Sequence, residues 1–227
     1  MTRGEIRDVA IGALRESAIP VRWSEAELNH YIDDGYIEMA ETTGAVVATR
    51  NLSANTQNHF VSLPLDCNFV IAAKDQADGL PIDPVHWGFV DEVDNKWIRV
   101  SSTRPDFFAM FGLRELILYP AYDSARTIEA ILSIIPDPLG ENDEPDLPQE
   151  YHYGLVHYCH ARAIIKDAHG DETGPRIGRH RRQERFYREA MSGLGHWTFD
   201  RHKHIFMATY GDRYRMPEID NYGVALG

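Results

Sequence analysis

Histidine and cysteine are the side chains of this protein that could bind a metal ion or catalyse a reaction. The sequence has eleven histidines and two cysteines. His157 and His160 are three residues apart on one face of a predicted helix, with His152 well around it. A zinc site needs three or four convergent ligands, and His157-Tyr-Cys-His160 lacks the glutamate that acts as general base in H-E-x-x-H. The spacing favours surface or interface histidines. The alternative is a metal-dependent hydrolase that uses His152, His157 and His160.

Motifs for phosphate binding and nucleophilic catalysis do not occur in the sequence. The glycines form neither G-x-x-x-x-G-K-[ST] nor G-x-G-x-x-G, and there is no G-x-S-x-G elbow. The paired carboxylates of Asp33 and Asp34 lie on the polar side of a predicted helix, where solvation explains them. We therefore predict a protein that is not an enzyme and needs no cofactor.

Six arginines form the one concentrated basic group, on a helix predicted from Pro175 to Met191: Arg176, Arg179, Arg181, Arg182, Arg185 and Arg188. They could contact DNA phosphates, which would make residues 176–188 a DNA-binding module. They could instead complement the acidic linker or a neighbouring subunit's acidic face. The third interpretation is a solvated helix face.

The overall charge is strongly negative, at −12 from 35 acidic and 23 basic residues. Proteins that grip nucleic acid carry the opposite balance, although a passage that lets DNA slide should repel it mildly. Only Cys67 and Cys159 could form a disulfide, and two cysteines favour a reducing compartment without one. No apolar run is long enough for a membrane span, and the first residues do not resemble a signal peptide.

Hydrophobic periodicity predicts helices at both ends of the chain, over residues 3–42 and 149–191. The clearest is the second helix, where Ser24 is placed to act as N-cap and Glu27 completes a capping box. Between them, residues 53–136 predict a mostly antiparallel sheet, with strands at 59–63, 69–72, 85–90, 96–100, 116–119 and 127–135. Residues 136–148 contain four prolines and five acidic residues, which predicts an extended, solvated linker.

The last residues, 196–227, are rich in aromatics but lack a regular period. They include Trp197, Phe199, Phe206, Tyr210 and Tyr214. A solvated tail should be poor in such residues. We predict a partner-binding arm that becomes ordered against a neighbour, with a terminal strand returning to its own sheet as the alternative.

The order of these motifs resembles the head-to-tail adaptor (connector) proteins of tailed bacteriophages over roughly residues 23–188. The resemblance rests on the succession Trp23-Ser-Glu-Ala-Glu-Leu28, Tyr31-Ile32, Tyr36-Ile-Glu-Met-Ala40, Ser62-Leu-Pro64, Gly79-Leu-Pro-Ile82, Trp97, Leu118-Tyr-Pro120, Ile134-Ile-Pro-Asp-Pro-Leu139, Asp146-Leu-Pro148 and the Tyr/His/Ala-rich helix Tyr151–Ala163.

The resemblance implies an α+β fold, in which N- and C-terminal helices form a bundle with an inserted sheet. We predict an adaptor domain over residues 1–195; residues 196–227, which lie outside the resemblance, form the extended C-terminal arm. The resemblance also implies a virion protein of the neck, assembled in the bacterial cytoplasm as a ring of twelve copies. Its partners would be the portal, a neck or tail component and its own copies, with DNA in the lumen bound without sequence specificity. No catalytic residues are implied.

Overall fold

The computed structural model describes residues 1–14, 22–94, 96–112, 114–168 and 175–210. The helices in this part of the chain are α1 (Arg3–Leu14), α2 (Glu25–Thr43), α3 (Trp87–Val93), α4 (His152–Ala168) and α5 (Pro175–Tyr210). The strands are β1 (Val47–Ala54), β2 (Phe60–Ser62), β3 (Cys67–Asp75), β4 (Pro81–Pro84), β5 (Ser101–Ser102), β6 (Phe107–Phe111), β7 (Glu115–Tyr119), β8 (Ala121–Tyr122) and β9 (Arg126–Ile134). The predicted α+β class is confirmed.

The described residues form two compact units. The helical unit contains residues 1–46 and 136–198, and the sheet unit contains residues 47–135 and 199–210. None of the helices within the described residues combines the length and apolar character needed to cross a membrane.

Helix α2 begins and ends as its sequence predicts. The Ser24 hydroxyl accepts a hydrogen bond from the Glu27 N–H at 3.2 Å, which satisfies one of the free amides of the first turn. Lys166 and then the Tyr31 hydroxyl and the Ser24 N–H hold the pKa of the Glu27 carboxyl below its usual value. At the other end, Gly44 has φ of +66°, the left-handed conformation that glycine adopts without strain.

Helix α4 lies against α1, α2 and α5 in the helical unit. The Tyr158 ring of α4 packs edge-on against Tyr187 of α5, with ring centroids 4.7 Å apart, and the Tyr187 hydroxyl donates to the Gly35 carbonyl of α2 at 3.3 Å. A β-carbon on Gly35 would lie 2.8 Å from Tyr158 Cδ1. The three helices therefore approach this closely only because residue 35 has no side chain. The Cys159 thiol is fully buried nearby, and burial raises its pKa to about 12.

The linker of residues 136–148 is anchored to α1 and α2 through its backbone, while its five acidic side chains are exposed. Its backbone accepts hydrogen bonds from the N–H groups of Arg3 and Gly4 at the start of α1. Its Leu139 N–H donates to the Asp33 carboxylate of α2 at 3.1 Å, and Leu139 is only 8% exposed. The prolines exclude helix and ladder pairing, but the backbone polar groups still find partners on α1 and α2.

The main sheet has seven strands in the order β1-β9-β3-β4-β6-β7-β2. All its neighbouring pairs are antiparallel except β4 and β6, which run parallel. Strands β5 and β8 form a separate parallel pair. The mostly antiparallel character is therefore confirmed. Its core is apolar and includes Phe108, Leu116, Tyr122, Ile128 and Leu132.

Two predicted strands are wrong. Residues 85–90 enter helix α3, because the His86 ring accepts a hydrogen bond from the Gly88 N–H at 3.2 Å and caps the helix. Residues 96–100 contain a 3-10 helix at Trp97–Arg99. Strands β1, β4, β5, β6 and β8 were not predicted, and the sheet region begins at Val47 rather than residue 53.

Helix α5 extends beyond Met191, where the sequence predicts its end. It continues through Ser192 to Gly195 and reaches Tyr210, with one non-helical residue at His202. The two glycines in this stretch are tolerated because Leu194 is fully buried and the Thr198 hydroxyl donates to the Leu194 carbonyl at 3.0 Å. Residues 196–210 are thus helical rather than an extended arm.

Replacing Gly35 with alanine should destabilise the chain, because the new methyl group would overlap the Tyr158 ring. We expect a loss of about 1–3 kcal/mol in the free energy of unfolding, measured by chemical denaturation. The matched control is Gly12→Ala in α1, where nothing lies within 4 Å of the new β-carbon. That change should be neutral or stabilise by up to about 1 kcal/mol. Equal stabilities for the two variants would contradict the close-packing interpretation.

Candidate interaction surfaces

The arginines of α5 include a group on the side of the helix that faces away from the core. Arg181, Arg182 and Arg185 are exposed, whereas Tyr187 on the opposite side is 3% exposed and packs on α4. We call these three residues the basic face. Arg179 is also exposed, and Arg188 is half-buried. Arg176 lies in the first turn of α5, where its side chain is outside the described residues.

Glutamates of the same helix neutralise part of this charge. Arg188 pairs with Glu184 at 2.7 Å, and this arginine holds the pKa of the Glu184 carboxyl below its usual value. Arg185 and Glu189 form a looser pair at 3.4 Å, both largely exposed. Residues 179–189 still contain five arginines against two glutamates. A net positive surface therefore remains in an acidic protein.

The acidic linker is paired with arginines of α1, whereas one interpretation of the sequence paired it with the arginines of α5. Arg7 of α1 binds the Glu141 carboxylate through two hydrogen bonds, at 2.6 and 2.8 Å. The Arg7 guanidinium lowers the pKa of the Glu141 carboxyl. Arg3 lies 3.7 Å from the same carboxylate and 3.3 Å from Asp33. Arginines of α1 thus neutralise the Glu141 carboxylate within the same chain, and the basic face of α5 is not what pairs with it there.

The three histidines of the metal hypothesis do not converge. His152 is 2% exposed, and its Nε2 donates to the Leu147 carbonyl at 3.0 Å, so its Nδ1 is unprotonated and faces the Met1 amine at 2.9 Å. His157 Nδ1 donates to the Gln183 side chain at 2.7 Å. Burial lowers the pKa of both His152 and His160. Within the described ranges, no group of three potential metal ligands occurs.

Asp75, His59 and Cys67 are buried polar groups of the sheet unit with structural roles. Asp75 is 2% exposed, and its two carboxylate oxygens accept hydrogen bonds from the Tyr122 hydroxyl at 2.8 Å and the Ala77 N–H at 2.7 Å. His59 Nδ1 lies 2.9 Å from the Leu118 carbonyl. Burial raises the pKa of the Cys67 thiol to about 11. These groups hold the turns around the sheet in place.

An aromatic surface on the sheet unit was not predicted from the sequence. It consists of Phe60, Trp87, Trp97 and Phe111, and we include Ile98, which follows Trp97 in the chain and is exposed. The rings form a continuous chain, with centroid distances of 6.2 Å from Trp97 to Phe60, 5.8 Å from Phe60 to Phe111 and 6.4 Å from Phe111 to Trp87. Trp87 is 48% exposed and Ile98 is 64% exposed. A contiguous exposed apolar patch marks a site of protein–protein contact.

The aromatic residues assigned to the C-terminal arm lie partly on α5. Trp197 and Phe199 are half-buried on this helix. Phe206 and Tyr210 belong to its last turns, where the side chains are outside the described residues. Tyr214 lies beyond the described residues altogether. The partner-binding role of these five aromatics stays a prediction.

Comparison with known proteins found one matching family. A family model described as SU10 adaptor protein matches residues 1–205. This range includes α1, the sheet unit up to β9, and α5 past its basic face. None of the curated proteins matches the chain.

Lowering the pH from about 7 to about 5 should destabilise the fold. The pKa values of His152 and His160 are lowered by burial, so below about pH 6.5 the unfolded chain binds protons that the folded chain excludes. Stability is therefore full above that pH and falls as the pH drops toward the folded-state pKa values. We expect melting temperatures measured at pH 7, 6 and 5 to decrease.

The variant His160→Gln should flatten this pH dependence, since one of the two buried imidazoles is removed. His30→Gln is the matched control, because the His30 side chain is 72% exposed on α2 and its loss should leave the slope unchanged. A melting temperature that does not change between pH 7 and 5 would show that these histidines are not held neutral by the fold.

Proposed function

Because the chain belongs to the SU10 adaptor protein family, a family of phage structural adaptors, we propose that it forms a ring of twelve copies at the head–tail junction of a tailed phage. The ring docks on the portal at the capsid vertex, and a neck or tail component binds its other side. DNA passes through its lumen. The observation that carries this proposal is the family match over residues 1–205, which takes in nearly all of the described structure.

The charge of the chain supports a passage for DNA. A net charge of −12 gives a surface that repels the phosphate backbone, so a lumen lined by such a chain lets DNA slide. A chain that gripped DNA throughout the lumen would bind it by releasing counterions from many phosphates. DNA in this ring is therefore enclosed without sequence-specific binding.

The basic face of α5 serves as a contact between subunits. Its arginines are exposed and the ion pair of Arg185 with Glu189 lies within α5 itself; exposed pairs of this kind contribute little to the stability of a single subunit. Charges at an interface instead select the partner and fix its orientation. The competing role, contact with DNA phosphates, predicts salt-sensitive DNA binding in place of a defect in assembly.

The aromatic surface of the sheet unit serves as a contact with a partner of the ring. Aromatic side chains remove a large apolar area from water and lose little rotamer freedom, which makes them effective anchors. The aromatics of the C-terminal part of the chain also serve as anchors for a partner: Trp197, Phe199, Phe206, Tyr210 and Tyr214. A ring at the head–tail junction has two such partners, the portal and the neck component.

The double variant Arg181→Ala and Arg185→Ala should assemble less well without unfolding. We expect the melting temperature to stay within a few degrees of wild type and the yield of rings, counted by negative-stain imaging with purified portal, to fall. The matched control is Arg50→Ala with Lys74→Ala, two exposed cations of the sheet unit outside the aromatic surface. Normal ring yield together with weaker retention on duplex DNA would assign the arginines to DNA.

The double variant Trp87→Ser and Ile98→Ser should bind its partner less well while remaining folded. Both side chains are substantially exposed, so their loss should change the free energy of unfolding by less than about 1 kcal/mol while removing anchors from the aromatic surface. The measurement is co-sedimentation with portal-bearing capsids. Leu65→Ser is the matched control, because Leu65 is 77% exposed and not part of this surface. Undiminished co-sedimentation of the double variant would exclude the aromatic surface as the portal contact.

A further inference from the structure

A second charged surface of the helical unit is acidic. It is formed by exposed carboxylates of α1, the start of α2 and the linker: Glu5, Asp8, Glu25, Glu141, Asp143 and Glu144. The side chains of Glu25 and Glu144 are 64% and 60% exposed. The cations of the same region are Arg3, Arg7 and the Met1 amine, which are only 16%, 11% and 18% exposed, and the six carboxylates outnumber them. We call this surface the acidic face, because solvent meets carboxylates with the guanidinium groups beneath them.

The acidic and basic faces lie on opposite sides of α4. Residues of α4 that contact α5 include His157 and Tyr158, through their rings, and Ala161, through its carbonyl oxygen. His152 of α4 contacts the linker and the start of α1. For the directions, His157, Tyr158 and Ala161 are compared with His152. At 100° per residue, His152 points about 170° away from the mean direction of the other three. Helix α5 and its basic face are therefore on one side of α4, and the linker with its acidic face is on the other.

Two complementary faces on opposite sides of one subunit define a head-to-tail contact. Such a heterologous contact joins different surfaces of successive copies, and it closes into a ring when the rotation between copies permits. Neither face can pair with its like on a second copy, because like charges would repel. A two-fold dimer through either face is thus disfavoured, and contact of one face with the other is favoured.

We infer that the basic face of α5 docks onto the acidic face of α1, α2 and the linker in the next copy of the chain. The occupant of the basic face is a second copy of this protein rather than DNA. This inference rests on the proposed ring and names its subunit contact. It also accounts for an acidic chain that concentrates arginines on one helix, since a head-to-tail contact based on charge needs both signs of charge on each subunit.

Reversing the charge of one face at a time should abolish association. The variant with Arg181→Glu and Arg185→Glu presents carboxylates on both sides, and the variant with Asp8→Arg and Glu144→Arg presents arginines on both. Each should associate about tenfold or more weakly than wild type, as measured by sedimentation velocity alone and with purified portal. Arg50→Glu with Lys74→Glu gives the same change in net charge as the α5 variant, on exposed positions of the sheet unit outside the aromatic surface, and should associate normally.

Mixing the two reversed variants in equal amounts provides the decisive measurement. The reversed α5 of one variant meets the reversed acidic face of the other, and the unchanged faces also meet, so the mixture should form rings in which the two variants alternate. Recovery of association in the mixture, and in one chain that carries all four substitutions, is the expected result. High salt should weaken the wild-type contact and the recovered contact alike.

Two outcomes would overturn the inference, and they are distinguishable from failure of the proposed function. If wild type forms rings and the mixture of variants does not recover, the two faces do not meet, and the proposed ring still stands. If wild type forms no ring alone or on the portal, the proposed function fails and the inference with it. Circular dichroism melting confirms that each variant is folded. Should Asp8→Arg with Glu144→Arg unfold, Glu25→Arg with Asp143→Arg tests the same face.

Discussion

The bidentate ion pair between Arg7 and Glu141 joins segments 134 residues apart in the chain. The chain leaves the helical unit after Val46, builds the sheet and returns at Pro136, so α4 and α5 can pack on α1 and α2 only if the returning segment is held. Arg7 and the backbone of α1 hold it at Glu141, and Asp33 of α2 holds it at Leu139. Loop closure over so many residues is entropically costly, and this cluster of contacts offsets that cost locally.

The polar groups that suggest chemistry in the sequence are engaged in structural contacts. His152 bridges the linker to the start of α1, His157 binds Gln183 across α4 and α5, and Asp75 organises the turn after β3. Groups that satisfy buried donors and acceptors in this way are costly to remove. The surfaces that distinguish this protein are instead charged and aromatic faces, which is the expected distribution for a protein that acts by contact with other chains.

The sequence predicts those elements whose signals are local. Ser24 and Gly44 bound α2 because capping depends on one side chain and one backbone conformation, and the β-branched run of β9 forms a central strand. It fails where tertiary contacts decide. The glycines near residue 194 predict a break in α5, but a buried leucine and threonine hold the helix together. The prolines and acidic residues of the linker predict a solvated segment; its acidic side chains are exposed, but the contacts of its backbone with α1 and α2 have no signal in the sequence. Residues 85–90 have the composition of a strand but enter α3. With the segment assigned to a strand, the exposed position of Trp87 on the aromatic surface was not predicted.

The burial of both cysteines has a practical consequence for labelling. Only a thiolate reacts readily with a maleimide, and the raised pKa values of Cys67 and Cys159 leave almost no thiolate in the folded chain at neutral pH. A single cysteine introduced on an exposed position would therefore be the only fast-reacting thiol of the protein. A fluorophore attached there would report distances between copies without prior removal of the native cysteines, whose side chains fill the cores of the two units.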